Sequence, residues 1–340
     1  MRYFKNPLVA VILFTFNQES YIVEALESVL KQTYQPLEII ISDDCSSDAT
    51  FDLIKELAEK FSGLHSLQIN RNTKNQGVGR HASTIMEEAN GELITLAAGD
   101  DVSLPGQAPV LVKEWIKGGF PAGIGSAVTV IDSTGVETGY REGFCGAIDV
   151  EVGDSLQIAS LDAYLYDSGF GLMGCSAAWS REILDIFGRL PHDLMNEDSA
   201  FSLRALLIGK LLCVKTKLVN YRIHESNTWA RDAKFKTITE RLTYQEGAMR
   251  KAGYLMSLWH SGLVDVQLAL NKSIITHQQF EQLTKSTSAR YQKAQVTKQW
   301  WIYSLARRIT YFTKLSGGFG TKMLKLLPFE LFLRIKSALS

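Results

Sequence analysis

Cysteine is scarce in this sequence, and the four present, Cys45, Cys145, Cys175 and Cys213, lie far apart with no Cys-x-x-Cys pair. That pattern excludes a disulfide scaffold, argues against a zinc site and is expected of free thiols in a reducing compartment. Long hydrophobic runs are missing too. No stretch reaches the roughly eighteen apolar residues of a membrane span, so a soluble or peripheral protein is expected. Residues 8–16 are apolar enough for a signal-peptide core, but no small-residue cleavage site follows, and a first buried strand is the better reading. Net charge is absent: 36 Lys and Arg balance 36 Asp and Glu, which says nothing about partners. No internal repeat or low-complexity segment occurs. No Gly-x-Gly-x-x-Gly follows the first strand, which argues against a dinucleotide-binding oxidoreductase.

What is there is an ordinary globular composition, 46% hydrophobic and 21% charged over 340 residues. Such a chain can hold one large domain, or one domain with an appended piece. Its first hundred residues alternate between strand and helix patterns. Strands are predicted at 8–16, 37–42, 64–70 and 93–98. Helices are predicted at about 20–32, then along the face Leu53, Ile54, Leu57, Ala58 and Phe61 with Ser46 or Ser47 as cap, then at about 80–89. This is the rhythm of βαβ units building a mostly parallel sheet. Beyond Pro105 it changes to a helix at 109–117, a strand at 122–131, a turn at 132–135 and a loop-like stretch at 143–154. Residues 168–178 are rich in glycine and small side chains, suited to a tight turn or to close approach of backbone to a ligand. A helix is predicted from about Asp198 to Gly209.

In an open α/β sheet, ligands bind outside the carboxyl ends of the strands. Three predicted strand ends carry Phe14-Thr15-Phe16-Asn17, Asp43-Asp44 and Asp100-Asp101. An aromatic wall and an in-plane acceptor suit a nucleobase. Adjacent carboxylates suit a hard divalent cation and the diphosphate it brings, although two Asp residues also make an ordinary turn. Two later clusters have the same double reading. Glu197-Asp198 opens a helix, where the dipole favours acids, and a carboxylate there can also accept a proton from a hydroxyl. Arg222 and His224 alternate with Tyr221 and Ile223 as if on one strand face, which can complete a metal–diphosphate site.

In this order the pieces resemble family 2 glycosyltransferases of the GT-A fold, notably bacterial enzymes of surface-polysaccharide synthesis. The matching text is Val11-Ile-Leu-Phe-Thr-Phe-Asn17, Ala25-Leu-Glu-Ser-Val-Leu-Lys-Gln-Thr33, Glu38-Ile-Ile-Ile-Ser-Asp-Asp-Cys-Ser-Ser-Asp48, Asn75-Gln-Gly77, Ala89-Asn-Gly-Glu92, Gly99-Asp-Asp101, Glu197-Asp198 and Tyr221-Arg-Ile-His224, across roughly residues 7–229. The resemblance implies an α/β catalytic domain at 1–230, its mostly parallel Rossmann-like sheet flanked by helices. Beyond the resemblance, the helical periodicity of residues 235–270 predicts a C-terminal helical extension at 231–297 packed on that domain. The resemblance also implies an inverting enzyme that takes a sugar from a UDP- or dTDP-linked donor to a hydroxyl of a glycan or polyprenyl-lipid-linked acceptor, with Mg²⁺ or Mn²⁺.

By position, it implies Thr15, Phe16, Asn17 and Asp44 at the nucleobase, Asp100 at the ribose or metal, and Asp101 and His224 on the metal. Gly174 and Arg222 would meet the nucleotide-sugar, and Asp198 would be the catalytic base with Glu197 beside it. Two departures stand out. Phe14 and Phe16 replace the family's Pro and Tyr, and Ala98 stands where the first Asp of Asp-x-Asp is usual. Ala98 keeps alive a second reading, a non-catalytic nucleotide-sugar-binding or scaffolding relative.

The end of the chain is outside the resemblance. From Lys298 to Ser340 there are eight basic residues and one acidic, interleaved with Trp300-Trp301, Tyr303, Tyr311-Phe312 and Phe329. Such a tail suits an interfacial helix on anionic lipid, hence a cytoplasmic protein peripheral on the inner face of the membrane. A basic helix docked on the acidic remainder is the other reading. No nucleic-acid partner is expected.

Overall fold

The computed structural model describes residues 6–145, 151–152, 156–161, 171–191, 194, 197–225, 227 and 238–300. They fall into two units: the first holds the described residues up to 224 together with 267–276, and the second those from 225 to 266 and from 277 to 300.

The first unit opens with β1 (Val9–Thr15), α1 (Ile22–Leu30), β2 (Leu37–Asp43), α2 (Thr50–Lys60), β3 (Ser66–Arg71), α3 (Val78–Glu88) and β4 (Leu93–Ala98). After these come β5 (Val102–Ser103), α4 (Gln107–Lys117), β6 (Gly123–Ile131), β7 (Glu137–Arg141), β8 (Phe144–Cys145), β9 (Glu151–Val152) and β10 (Leu156–Ala159). It closes with β11 (Gly171–Leu172), a 3₁₀ turn Gly174–Ser176, β12 (Ala178–Ser180), α5 (Glu182–Phe187), α6 (Glu197–Ile208) and β13 (Leu211–Arg222). One sheet has the order β3-β2-β1-β4-β12-β6-β13-β10-β9, with β5 on β13 and β7 on β6; β11 and β8 form a separate pair. β3, β2, β1 and β4 are mutually parallel, and β13 is parallel to β6. β12 is antiparallel to both β4 and β6, so all the long strands run the same way.

Why these segments fold so is visible in their burial. β1 and β2 read as continuous apolar runs because helices cover both faces of a parallel sheet. α1 buries Ile22, Ala25, Leu26 and Val29, one stripe at the helical period. That stripe belongs to a core with Val11, Leu13, Ile39, Ile41, Leu111 and Trp115. Gln32 ties α1 to the next segment, donating to the Leu104 carbonyl at 2.8 Å and accepting from the Ala108 N–H at 3.0 Å.

The structure moves some predicted boundaries. The third strand starts at Ser66 rather than residue 64, and Leu64 is 90% exposed, a loop residue outside the sheet. The predicted loop 143–154 contains short strands, and part of it is outside the described residues. At the start of α2 it is Asp48, not Ser46 or Ser47, that accepts from a free N–H, that of Thr50 at 3.0 Å. Ser46 instead accepts from the Asn17 N–H at 2.8 Å, tying the ends of β1 and β2 together.

Register sets the next step of the argument. Thr15 pairs with Asp43 and Phe14 with Ala98, so three strand ends lie side by side. β13 is irregular between Val214 and Val219, where the exposed Lys215, Thr216 and Lys217 break the register with β6. It then pairs β5, Val219 opposite Ser103 and Asn220 opposite Val102, which brings Arg222 to the residues that follow β4.

The helix predicted at 235–270 is α7 (Ile238–Asn271), and α8 (His277–Trp300) follows it. Leu258, Val266 and Leu283 are buried there, and the Arg290 guanidinium lies 5.1 Å from the Trp259 ring centroid. Among the described residues no helix is long and apolar enough to cross a membrane. The basic aromatic tail lies, after Trp300, outside them.

Asp43 gives the fold its clearest test. It is fully buried and accepts from the Thr15 hydroxyl at 3.1 Å, from the Ser46 N–H at 2.9 Å and from the Ser46 hydroxyl, with Arg71 Nε at 3.5 Å. Asp43→Ala strands these donors and should destabilise the protein by about 2–4 kcal/mol in urea unfolding. A loss under about 0.5 kcal/mol would show that water reaches them.

Candidate active site

The strand ends open a crevice whose first wall is aromatic. Phe16, just past β1, is 44% exposed, and Asn17 holds a left-handed φ of 51°. The Asn17 side-chain oxygen accepts from the Ser47 N–H at 2.8 Å, so Asn17 braces the loop after β2. The Thr15 hydroxyl, expected at the nucleobase, is buried and bonded to Asp43. Asp44 is buried as well. Its Oδ1 accepts from Asn72 Nδ2 at 2.7 Å and the Gln76 N–H at 2.9 Å, and its Oδ2 from the Gly77 N–H at 2.9 Å. It therefore pulls the Asn75-Gln76-Gly77 turn against the strand ends. Beneath lies His81, absent from the sequence expectations, 2.6 Å from the Ser42 hydroxyl and edge-on to Phe14. Burial lowers its pKa, while the nearby Asp44 and Asp43 charges oppose that shift.

The second wall follows β4. His224 Nε2 lies 2.9 Å from Asp100 Oδ2, with the two side chains 8% and 14% exposed. Asp101, expected on the metal beside His224, is turned elsewhere: its Oδ1 accepts from the Arg222 N–H at 2.8 Å, and the Cys175 thiol hydrogen-bonds to it. Burial first, then the neighbouring Asp100 charge, raise its carboxyl well above the usual range. Arg222, expected at the nucleotide-sugar, is 2% exposed and engaged with protein on several edges. β13 ends at Arg222, so His224 projects from beyond the strand rather than from one of its faces. Among the described residues no three His, Cys, Asp or Glu side chains converge as a ready-made metal cage.

The third wall is the start of α6. Glu197 is buried, Asp198 is partly exposed, and Gly174 lies against both: a Cβ there would sit 3.1 Å from Glu197 Oε1 and 3.5 Å from Asp198 Cβ. With no side chain, Gly174 comes this close without displacing the Glu197 carboxyl, and its N–H reaches the Asp198 carboxylate. Burial, then the Asp198 charge, pushes Glu197 up to about 8, while burial raises Asp198 to about 6 against bonds from Ser199 and Gly174. Glu197 Oε2 meets no hydrogen-bond partner among the described residues, the environment of a carboxyl that keeps its proton.

The sequence reading missed Tyr21, Glu24, Cys175 and His81. Tyr21 precedes α1 and Cys175 follows Gly174, but neither belongs to a motif whose spacing signals chemistry. Because Glu197 holds its proton in the folded state up to about pH 8, folding takes up a proton that the unfolded chain has already lost, and stability falls as pH rises to that point. Glu197→Gln should remove most of that fall between pH 6 and 8 in urea unfolding at stepped pH. An unchanged slope would show that Glu197 is ionised in the fold.

The model of Glycosyl transferase family 2 matches residues 10–187, more than half of the chain. A Campylobacter jejuni relative, the GalNAc(5)-diNAcBac-PP-undecaprenol beta-1,3-glucosyltransferase, is 33% identical over 108 residues, 32% of this chain and 34% of that protein. The chain spans about half the length of the curated relatives it matches. Among solved structures, Staphylococcus aureus TarS 1–349 in complex with UDP covers 95% of this chain and 82% of its own, with a TM-score of 0.58 at 15% identity. The mannosyltransferase PcManGT of Pyrobaculum calidifontis, in complex with GDP-Man and Mn²⁺, covers 98% and 80%, with a TM-score of 0.52 at 19% identity. At these identities the likeness is one of fold. With the family model spanning the strand ends that carry Asp44, Asp100 and Asp101, the chain belongs to glycosyl transferase family 2.

Proposed function

We propose that this protein is an inverting glycosyltransferase of bacterial polysaccharide synthesis, moving a sugar from a nucleoside-diphosphate donor to a hydroxyl of a glycan or lipid-linked acceptor. The observation that carries this reading is the turn Gly174–Ser176, which meets both acidic clusters: Gly174 backs onto Glu197 and Asp198, and Cys175 bonds to Asp101. One turn thus touches the Glu197–Asp198 pair and the buried Asp101 beside Asp100, which supports reading the two acidic clusters as parts of one site.

In this reading the nucleobase lies along Phe16, with Asn17 and Asp44 at its edge and Thr15 behind, and the donor is UDP- or dTDP-linked. Asp198, ionised at neutral pH, takes the proton of the acceptor hydroxyl. The acceptor oxygen forms its bond to the anomeric carbon from one face. The bond from that carbon to the diphosphate oxygen breaks on the other, and its electron pair leaves with the nucleoside diphosphate. Glu197 keeps its proton, so the pair carries a single charge at pH 7. Asp100 and His224, a carboxylate and an imidazole 2.9 Å apart, are a donor set that fits Mg²⁺ or Mn²⁺ with phosphate oxygens completing the shell. Bound there, the cation would supply charge neutralisation for the leaving diphosphate. Asp101 backs this pair as a buried carboxylate fixing the loop.

Asp198→Asn should lower transfer by about 10²–10⁴-fold while nucleotide binding stays intact. Transfer should also fall as pH drops through about 6 in the wild type. Near-normal turnover of the variant would remove Asp198 as base. Calorimetry with UDP, dTDP and GDP, with and without Mn²⁺, should find one metal-dependent ligand. Binding of none would favour the scaffolding reading, with Ala98 as its cause. For the tail, we propose contact with anionic membrane, which fits a lipid-linked acceptor. Deleting residues 298–340 should release the protein from phosphatidylglycerol liposomes, and the idea fails if the full chain never binds them.

A further inference from the structure

Arg222 is among the largest side chains fully enclosed by this protein, yet it carries a permanent charge. A guanidinium has five N–H donors in one rigid plane and a flat face on each side. Here Nε donates to the Asp100 carbonyl at 2.9 Å, Nη1 to the Asp132 carbonyl at 3.3 Å, and Nη2 to the Glu24 carboxylate. One face stands 4.9 Å from the Tyr21 ring centroid. The main-chain N–H of the same residue donates to Asp101. One side chain thus binds the start of α1, the end of β4 and the β6–β7 turn to the end of β13.

Tyr21 carries this order one step further. Its ring centroid is 4.8 Å from that of His224, tilted by 37°, so the tyrosine contacts both Arg222 and His224. His224 in turn meets Asp100. Arg222 therefore holds both members of that pair, Asp100 through its carbonyl and His224 through the Tyr21 ring. We infer that Arg222, Tyr21 and Glu24 are positioning residues that set the Asp100–His224 pair, and with it the affinity for a divalent cation bound with a nucleoside diphosphate. Arg222 does not itself touch the ligand. The identity of the ligand rests on the function proposed above; the positioning does not.

The two roles open to Arg222 separate in experiment. A direct diphosphate contact acts on the nucleotide with or without metal, and it gains nothing from Tyr21 or Glu24. A positioning role passes through His224 and needs all three residues. Glu24 is 58% exposed, so Glu24→Gln leaves the core intact, and Tyr21→Leu and Arg222→Lys accompany it in the full chain. With whichever of UDP, dTDP and GDP the wild type binds, calorimetry in Mn²⁺ should show Tyr21→Leu and Arg222→Lys weakened about 10- to 100-fold, as for groups that orient metal ligands, with Glu24→Gln weakened in the same direction. The weaker binding that remains without Mn²⁺ should stay within about twofold of the wild type for all three. The His224 imidazole resonances of the ligand-free protein should move in each variant.

The inference is overturned if Arg222→Lys loses nucleotide equally without Mn²⁺ while Tyr21→Leu and Glu24→Gln bind as the wild type does. If the wild type binds no nucleoside diphosphate, the proposed function fails. The His224 resonances then decide positioning alone, supporting it if they move and overturning it if all three variants leave them in place.

Discussion

A guanidinium closed off from water must find acceptors for its N–H groups, because a buried charge left without partners costs several kcal/mol. Arg222 meets that demand from three segments that are distant in sequence: the carbonyls of Asp100 and Asp132 and the carboxylate of Glu24. The rest of the site depends on this condition. The loop after β4 cannot shift without stranding donors, and β13 cannot slip past β5 without pulling Arg222 from Asp101. Asp100 and the end of β13 are tied together through a permanent charge buried between them.

The same economy of water explains the contrast between the two carboxyl pairs. Asp100 and Asp101 divide their work by exposure, the first meeting His224 at the crevice and the second buried against main-chain N–H and thiol donors. Glu197 and Asp198 divide theirs by protonation, since burial without compensating donors makes Glu197 the harder to ionise and leaves the pair with one charge. The Gly174–Ser176 turn touches members of both pairs, Glu197 and Asp198 through Gly174 and Asp101 through Cys175.

Much of the fold was legible beforehand. The apolar runs of β1, β2 and β4 and the helical stripe of α1 are local patterns, and their alternation implies parallel order at the C-terminal edge of a sheet. Where the reading slipped, the cause was nonlocal. Leu64 looks like a strand residue, but the pairing with β2 begins at Ser66. Ser46 looks like a helix cap, but it is drawn to Asp43 and Asn17 across the strand ends. Arg222 and His224 alternate as if on one face, but β13 ends at Arg222 and leaves His224 free of the strand's geometry.

By itself the sequence determined which chemistry the chain carries and along which edge it lies: acids and aromatics placed at strand ends by hydrophobic periodicity, and an acidic pair opening a late helix. Only the tertiary structure decided which of those groups face solvent and which serve the protein. Asp44, Asp101, Thr15 and Arg222 are each polar and each at the right place in the chain, yet their burial and partners depend on segments tens to hundreds of residues away. Desolvation and hydrogen bonding are properties of the packed surroundings, and no local pattern encodes them.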